Sequence, residues 1–148
     1  TVLSCKKEIN NDRALLIFNN DTYFKSVRLK SRLLSMRNQK IDGILGIFNS
    51  KDPKYSFVEI DNDDKVIRTK EKKVISNFAS TGMYIFSKGS DFVKSAEYAI
   101  EKNILIKNEF YISELYNILI KEGKKITVDV ADEFVALGTP EDIKKFEA

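Results

Sequence analysis

The sequence predicts an α/β fold: a mainly parallel sheet flanked by helices, with one antiparallel hairpin. Three observations predict it. Short continuous apolar runs, such as Ala14-Leu15-Leu16-Ile17-Phe18 and Gly43-Ile44-Leu45-Gly46-Ile47-Phe48, read as strands buried on both faces, the habit of parallel sheets. Segments of helical periodicity separate such runs, so strands alternate with helices along the chain. An acidic cluster, Asp61-Asn62-Asp63-Asp64, lies between two β-rich runs and reads as a hairpin turn. The length of 148 residues fits one domain, residues 1–148.

The elements follow in order. Asp12-Arg13 and Asn19-Asn20-Asp21 bound the first apolar run. Over 22–38 the spacing predicts a helix, with Phe24, Val27 and Leu34 on one stripe and Lys25, Arg28 and Arg32 on another. That basic stripe reads as a solvated helix face rather than a phosphate track. The Gly43 run is the second strand, and Asp52-Pro53-Lys54 is a turn. Residues 55–60 and 66–68 form the hairpin. Its acidic turn lacks the Gly at the sixth position and the Glu at the twelfth that a calcium loop requires, so it reads as a solvated turn. Residues 80–86 form another strand, in which Gly82 signals a close approach by a neighbour or ligand. Gly89-Ser90-Asp91 is expected to cap a helix over 92–103. A second helix runs over 111–122 and ends at Gly123. Short strands follow at 126–128 and 134–137, and Pro140-Glu141-Asp142 opens a last helix.

Composition then excludes whole classes of chemistry. Hydrophobic residues make up 43% of the chain, enough for a core and too much for disorder. There is no His, which removes Ser-His-Asp and Cys-His catalysis and His-ligated zinc. The charge of +3 is spread along the chain, which argues against nucleic acid as a partner. The lone Cys5 makes no internal disulfide and points to a reducing, cytoplasmic setting. No apolar run approaches the ~18–20 residues that span a bilayer, so no membrane association is expected. The chain opens at Thr1 without an initiator Met, and Thr1-Val2-Leu3-Ser4-Cys5 begins without cap or turn, which reads as a piece of a longer protein.

Four blocks, in order, carry a resemblance to the sugar-phosphate nucleotidyltransferases, of the glucose-1-phosphate thymidylyltransferase type. Leu16-Ile17-Phe18-Asn19-Asn20-Asp21 is similar to the family's strand ending in a magnesium-binding Asp. Tyr55-Ser56-Phe57-Val58-Glu59 resembles its Tyr-Gly-x-Val strand at the sugar pocket. Glu71-Lys72 and Ser76-Asn77-Phe78-Ala79-Ser80-Thr81-Gly82-Met83-Tyr84 resemble its Glu-Lys and Ser-Asn-x-Ala-x-x-Gly-x-Tyr blocks. Leu137-Gly138-Thr139-Pro140-Glu141-Asp142 resembles its Gly-Thr-Pro-Glu-Asp turn. The resemblance implies a Rossmann-like nucleotidyltransferase sheet, truncated at its N-terminus so that the C-terminal portion of the domain is present. Two departures stand out. The Gly-rich triphosphate loop is absent, since the six Gly at 43, 46, 82, 89, 123 and 138 are dispersed. Ala136 occupies the place of the family's second metal-binding Asp, and Asp132, roughly 13 Å away along a strand, does not replace it.

The resemblance implies an enzyme that joins a nucleoside triphosphate to a sugar 1-phosphate for surface glycan synthesis, with Mg²⁺ as cofactor. Asp21 is the expected catalytic and metal-binding residue, and Tyr55, Ser56, Glu71, Lys72, Asn77 and Gly82 are the expected substrate-binding residues. The residue types suit that chemistry. A sugar phosphate is already anionic, so attack on an α-phosphorus asks for positioning and charge neutralisation more than for a general base. A carboxylate at the carboxyl end of a buried strand stands where open α/β sheets bind ligands. Plainer readings stand beside these: Asn20-Asp21 as a helix cap, Glu71-Lys72 as part of a solvated charge run, and Tyr55 and Tyr84 as core aromatics. The alternative function is a non-catalytic sugar-phosphate-binding or regulatory module. These 148 residues alone are expected to be inactive, and the strand at Ala14–Phe18 to drive formation of a homo-oligomer by edge pairing.

Overall fold

The computed structural model describes residues 2–147; the opening Thr1 lies outside the described residues. Val2–Cys5 makes a 3₁₀ turn that leads into the short helix α1 (Lys6–Ile9). Next come β1 (Leu15–Phe18), β2 (Thr22–Lys25), α2 (Leu29–Asn38) and β3 (Gly43–Asn49). They are followed by β4 (Ser56–Ile60), β5 (Val66–Glu71) and β6 (Phe78–Phe86). The remaining elements are α3 (Gly89–Glu101), α4 (Ile112–Lys121), β7 (Ile126–Val130), β8 (Glu133–Ala136) and α5 (Pro140–Glu147).

The large sheet has the order β5-β4-β6-β3-β7, and β1 joins it by pairing with β6. The nine-residue β6 is its axis. Its first half meets β4 at Phe57↔Ala79, its second half meets β1 from Leu15↔Phe86 to Phe18↔Met83, and β3 runs along its other side. The class is α/β, as expected, but the sheet is mixed rather than mainly parallel. Among the described strands, β3 with β7 is its parallel pairing; the pairings of β6 with β1, β3 and β4, and of β4 with β5, are antiparallel. The apolar runs mislead on direction for a physical reason. They report that both faces are covered, and here helices cover both: Leu45, Ile47, Phe86 and Val128 pack with Phe92, Val93, Tyr116 and Leu119 of α3 and α4. On the other face Ile44, Met83 and Ile85 pack with Met36 of α2. Coverage does not fix strand direction.

Three further expectations are corrected. β1 is not buried on both faces: its residues alternate, with Leu16 61% exposed, because it lies at an edge of the sheet. Residues 22–38 are not one helix. Thr22–Lys25 forms β2, which pairs with the distant β8 in a separate two-stranded sheet, and helix starts only at Leu29. The proposed stripe therefore fails, with Val27 and Leu34 exposed and Leu29 and Met36 facing inward. Finally, α3 begins at Gly89 and carries no side-chain cap. Backbone carbonyls of Arg13 and Asn11 take the amides of Gly89 and Ser90 at 2.8 and 3.0 Å, meeting the need for partners at a helix start, while Asp91 accepts from Lys124.

Candidate active site

A cleft of about 520 Å³ opens where the two sheets meet, at the carboxyl end of β1. Asp21 reaches it from the turn between β1 and β2. No helix follows Asn20-Asp21, so the helix-cap reading is excluded. The Asp21 carbonyl accepts the Leu137 amide at 2.7 Å, and Thr22 stands opposite Ala136 in the β2–β8 ladder. The first and fourth sequence blocks, more than a hundred residues apart, are thereby brought side by side. A Cβ built on Gly138 would lie 3.6 Å from Asp21 Oδ2. Ala136 lines the cleft, whereas Asp132 does not: its carboxylate accepts the Val27 amide at 2.8 Å.

The hairpin supplies the opposite wall. Ser56 and Glu71 are register partners on β4 and β5, and both line the cleft with Tyr55. Glu71 is 8% exposed, and its Oε2 accepts hydrogen bonds from the hydroxyls of Ser56 and of Ser113 (3.1 Å). Tyr55 lies edge-on to Phe48 and Phe134, which stack on each other at 3.7 Å. Tyr84, buried behind Ser56 and Ser80, has its hydroxyl pKa pushed up by burial. Gly82 forms the floor with φ of +84°, and an added Cβ would stand 2.7 Å from Asn19 Nδ2, so Gly is required there on both counts.

Two expected residues lie apart from this group. Lys72 is next to the cleft rather than on its lining; its ammonium donates to the Tyr111 hydroxyl at 2.8 Å, and that hydroxyl donates to Glu109. The bond to Tyr111 holds the Lys72 pKa above the ordinary lysine value. Asn77 is exposed and borders a different hollow with Asn49, Ser50 and Lys51. The structure thus brings together Asp21, Tyr55, Ser56, Glu71 and Gly82 and leaves Asn77 outside. Sequence reasoning missed Lys54, Tyr111, Phe134 and Asp142 as lining residues. Phe134 was visible only as a strand residue, and Asp142 as a helix-start acid that closes the fourth block. Tyr111 precedes α4, and nothing in its local pattern pointed to Lys72.

The donor set is suited to a hard cation that keeps most of its own water and phosphate ligands. Mg²⁺ takes one or two carboxylates in such sites, and Asp21 and Asp142 are the two aspartates on the lining. Among the described residues no group of three acids or thiols forms a closed metal cage. No helix among them is long and apolar enough to cross a membrane.

A family model described as "Nucleotidyl transferase" matches residues 1–143. No curated protein matches the chain. Among solved structures, the chain is similar to a nucleoside-diphosphate-sugar pyrophosphorylase from Vibrio cholerae RC9, with 28% identity and a TM-score of 0.79. That match covers 97% of this chain and 59% of the other. It is also similar in fold to a UDP-glucose pyrophosphorylase complexed with UDP-glucose, at 18% identity and a TM-score of 0.79, covering 97% of this chain and 58% of that one. The chain therefore spans less than two thirds of the length of these structures.

Proposed function

The chain belongs to the nucleotidyl transferase family, and from that membership we propose that the protein transfers a nucleotidyl group from a nucleoside triphosphate to a sugar 1-phosphate. The product is a nucleotide-sugar, and surface glycan synthesis in the cytoplasm is its proposed setting. The chain is read as the C-terminal portion of the catalytic domain, carrying the sugar-phosphate side. One observation carries the reading: a single cleft gathers Asp21 from the end of β1 and Tyr55, Ser56 and Glu71 from the hairpin.

In this reading a phosphate oxygen of the acceptor attacks the α-phosphorus, a new P–O bond forms, and the bond to the β-phosphate breaks to release pyrophosphate. No proton needs to leave the nucleophile, so the step asks for no His, and the chain holds none. Asp21, with Asp142 nearby on the lining, would hold Mg²⁺, which would neutralise the phosphate charge. Glu71 accepts hydrogens from sugar hydroxyls, with Tyr55 and Ser56 beside it. Lys72, adjacent through Tyr111, supplies a point charge for the acceptor phosphate. Backbone amides of a Gly-rich loop are the usual cradle for a triphosphate, and these 148 residues hold none, so the chain by itself is proposed to be inactive.

The test is pyrophosphate release by the complete protein, offered nucleoside triphosphates, Mg²⁺ and a panel of sugar 1-phosphates. Asp21→Asn should lower turnover by more than ~100-fold with folding intact, since transition-state charge stabilisation by a metal is worth several kcal/mol. Ala136 in place of a second carboxylate favours a second reading, a non-catalytic sugar-phosphate-binding or regulatory module. Acceptor binding without pyrophosphate release would select it.

A further inference from the structure

We infer that Ser113, at the start of α4, is a positioning residue that sets the Glu71 carboxylate in the cleft. The inference rests on the proposed function, in which Glu71 receives the acceptor hydroxyls.

β5 ends the strand order of the large sheet, and its outer edge faces no further strand among the described residues. The first two turns of α4 take that place with side chains. Asn117 accepts the Thr69 amide at 2.9 Å and donates to the Thr69 carbonyl at 3.0 Å, as a neighbouring strand would. Glu114 accepts the Glu71 amide at 3.0 Å and is itself held by Asn117 at 2.8 Å. Ser113 behaves differently. Its hydroxyl is not spent on the backbone of β5; it donates to the Glu71 carboxylate, and the residue is only 1% exposed.

The consequence is a division of labour within one carboxylate. Oε2 receives two fixed hydroxyls, Ser56 from the strand and Ser113 from the helix, while no described residue donates to Oε1. Two donors on one oxygen, from different elements, fix the plane of the group, and Glu114 fixes the backbone from which it springs. The other oxygen is left as the acceptor for ligand. Asn117 secures the same edge, and holds Glu114 there, without touching the carboxylate, so it serves as the control that separates loss of the edge from loss of the Ser113 hydroxyl.

The experiment is steady-state kinetics in the complete protein. Ser113→Ala should raise KM for the sugar 1-phosphate about tenfold with kcat within about twofold, because an interaction present in both ground and transition states is weakened. Ser113→Thr, which keeps the hydroxyl, should restore KM to within about threefold of the parent. Ser113→Cys, close in shape but a weak donor, gives the same reading as Ala if the Ala variant does not fold. Asn117→Ala should lower the unfolding temperature and leave KM in place well below it. Turnover with an unmoved KM in the Ser113 variants, or equal KM changes in Asn117→Ala, would overturn the positioning role. A complete protein that releases no pyrophosphate with any acceptor would instead overturn the functional reading, and this inference with it.

Discussion

Asp129 stands on β7 with 1% of its surface exposed, and neither carboxylate oxygen meets a hydrogen-bond donor among the described residues. Burial raises its pKa above the ordinary carboxylate value, and the nearby Ser26, Arg28 and Arg32 oppose that shift only in part. Between the unfolded and the higher folded pKa, the folded chain holds a proton that the unfolded chain has released. Its contribution to stability is full below the unfolded pKa and is lost as pH rises through the higher folded one. Asp129→Asn, which removes the buried charge and keeps the shape, should stabilise the fold at neutral pH by about 1 kcal/mol or more, the scale of a charge buried without hydrogen-bond partners. Urea unfolding from pH 3 to pH 7 should show that gain shrink toward acid; a constant gap would show that the charge is not its source. Sequence patterning had no access to this residue. The strand expected from the sequence stops at Val128, and Asp129 acquires its surroundings, Ser26, Arg28 and Arg32, only through long-range contact.

At the scale of elements, β3, the β4–β5 hairpin, β6, α4 and α5 were legible because each announces itself locally: an unbroken apolar run, an acidic turn, Gly123 at positive φ, Pro140 after Thr139. The β2–β8 pair was not: β8 matches the strand expected at 134–137, but β2 lies in a stretch read as helix, and the two partners are far apart in sequence. The candidate site was half legible for the same reason. Tyr55, Ser56, Glu71 and Gly82 sit in motifs, while Tyr111, Ser113 and Phe134 acquire their roles only through long-range contact. A two-stranded sheet of four-residue strands, none of whose residues is fully buried, is marginal by itself. Its amides should therefore exchange with solvent well ahead of those in β3 and β6, whose residues are buried on both faces. Residue-resolved hydrogen exchange measures this, with Tyr23 and Phe134 compared against Leu45 and Ile85. Equal protection would mean that the β2–β8 pair opens only with the whole fold.

For the whole molecule, the edges of the large sheet decide how copies of the chain meet. Side chains of α4 occupy the outer edge of β5. The first four residues of β7 are buried, and Thr127 is bridged to Lys65 at the hairpin tip. β1 remains, pairing only with β6 among the described strands and exposing Leu16 and Phe18. Strand edges of this kind recruit other strands. The 148-residue chain should self-associate through β1, and Leu16→Lys, a charge of the sort that protects natural edges, should return it to monomer in light scattering. A parent chain that stays monomeric at 100 µM would refute this. The geometry also limits the size of the assembly. Two copies joined edge to edge about a two-fold axis each consume the open strand of the other, and the ends of the joined sheet are then the covered β5 and β7 strands. Growth has nowhere to continue, so the expected product is a closed pair rather than a fibre.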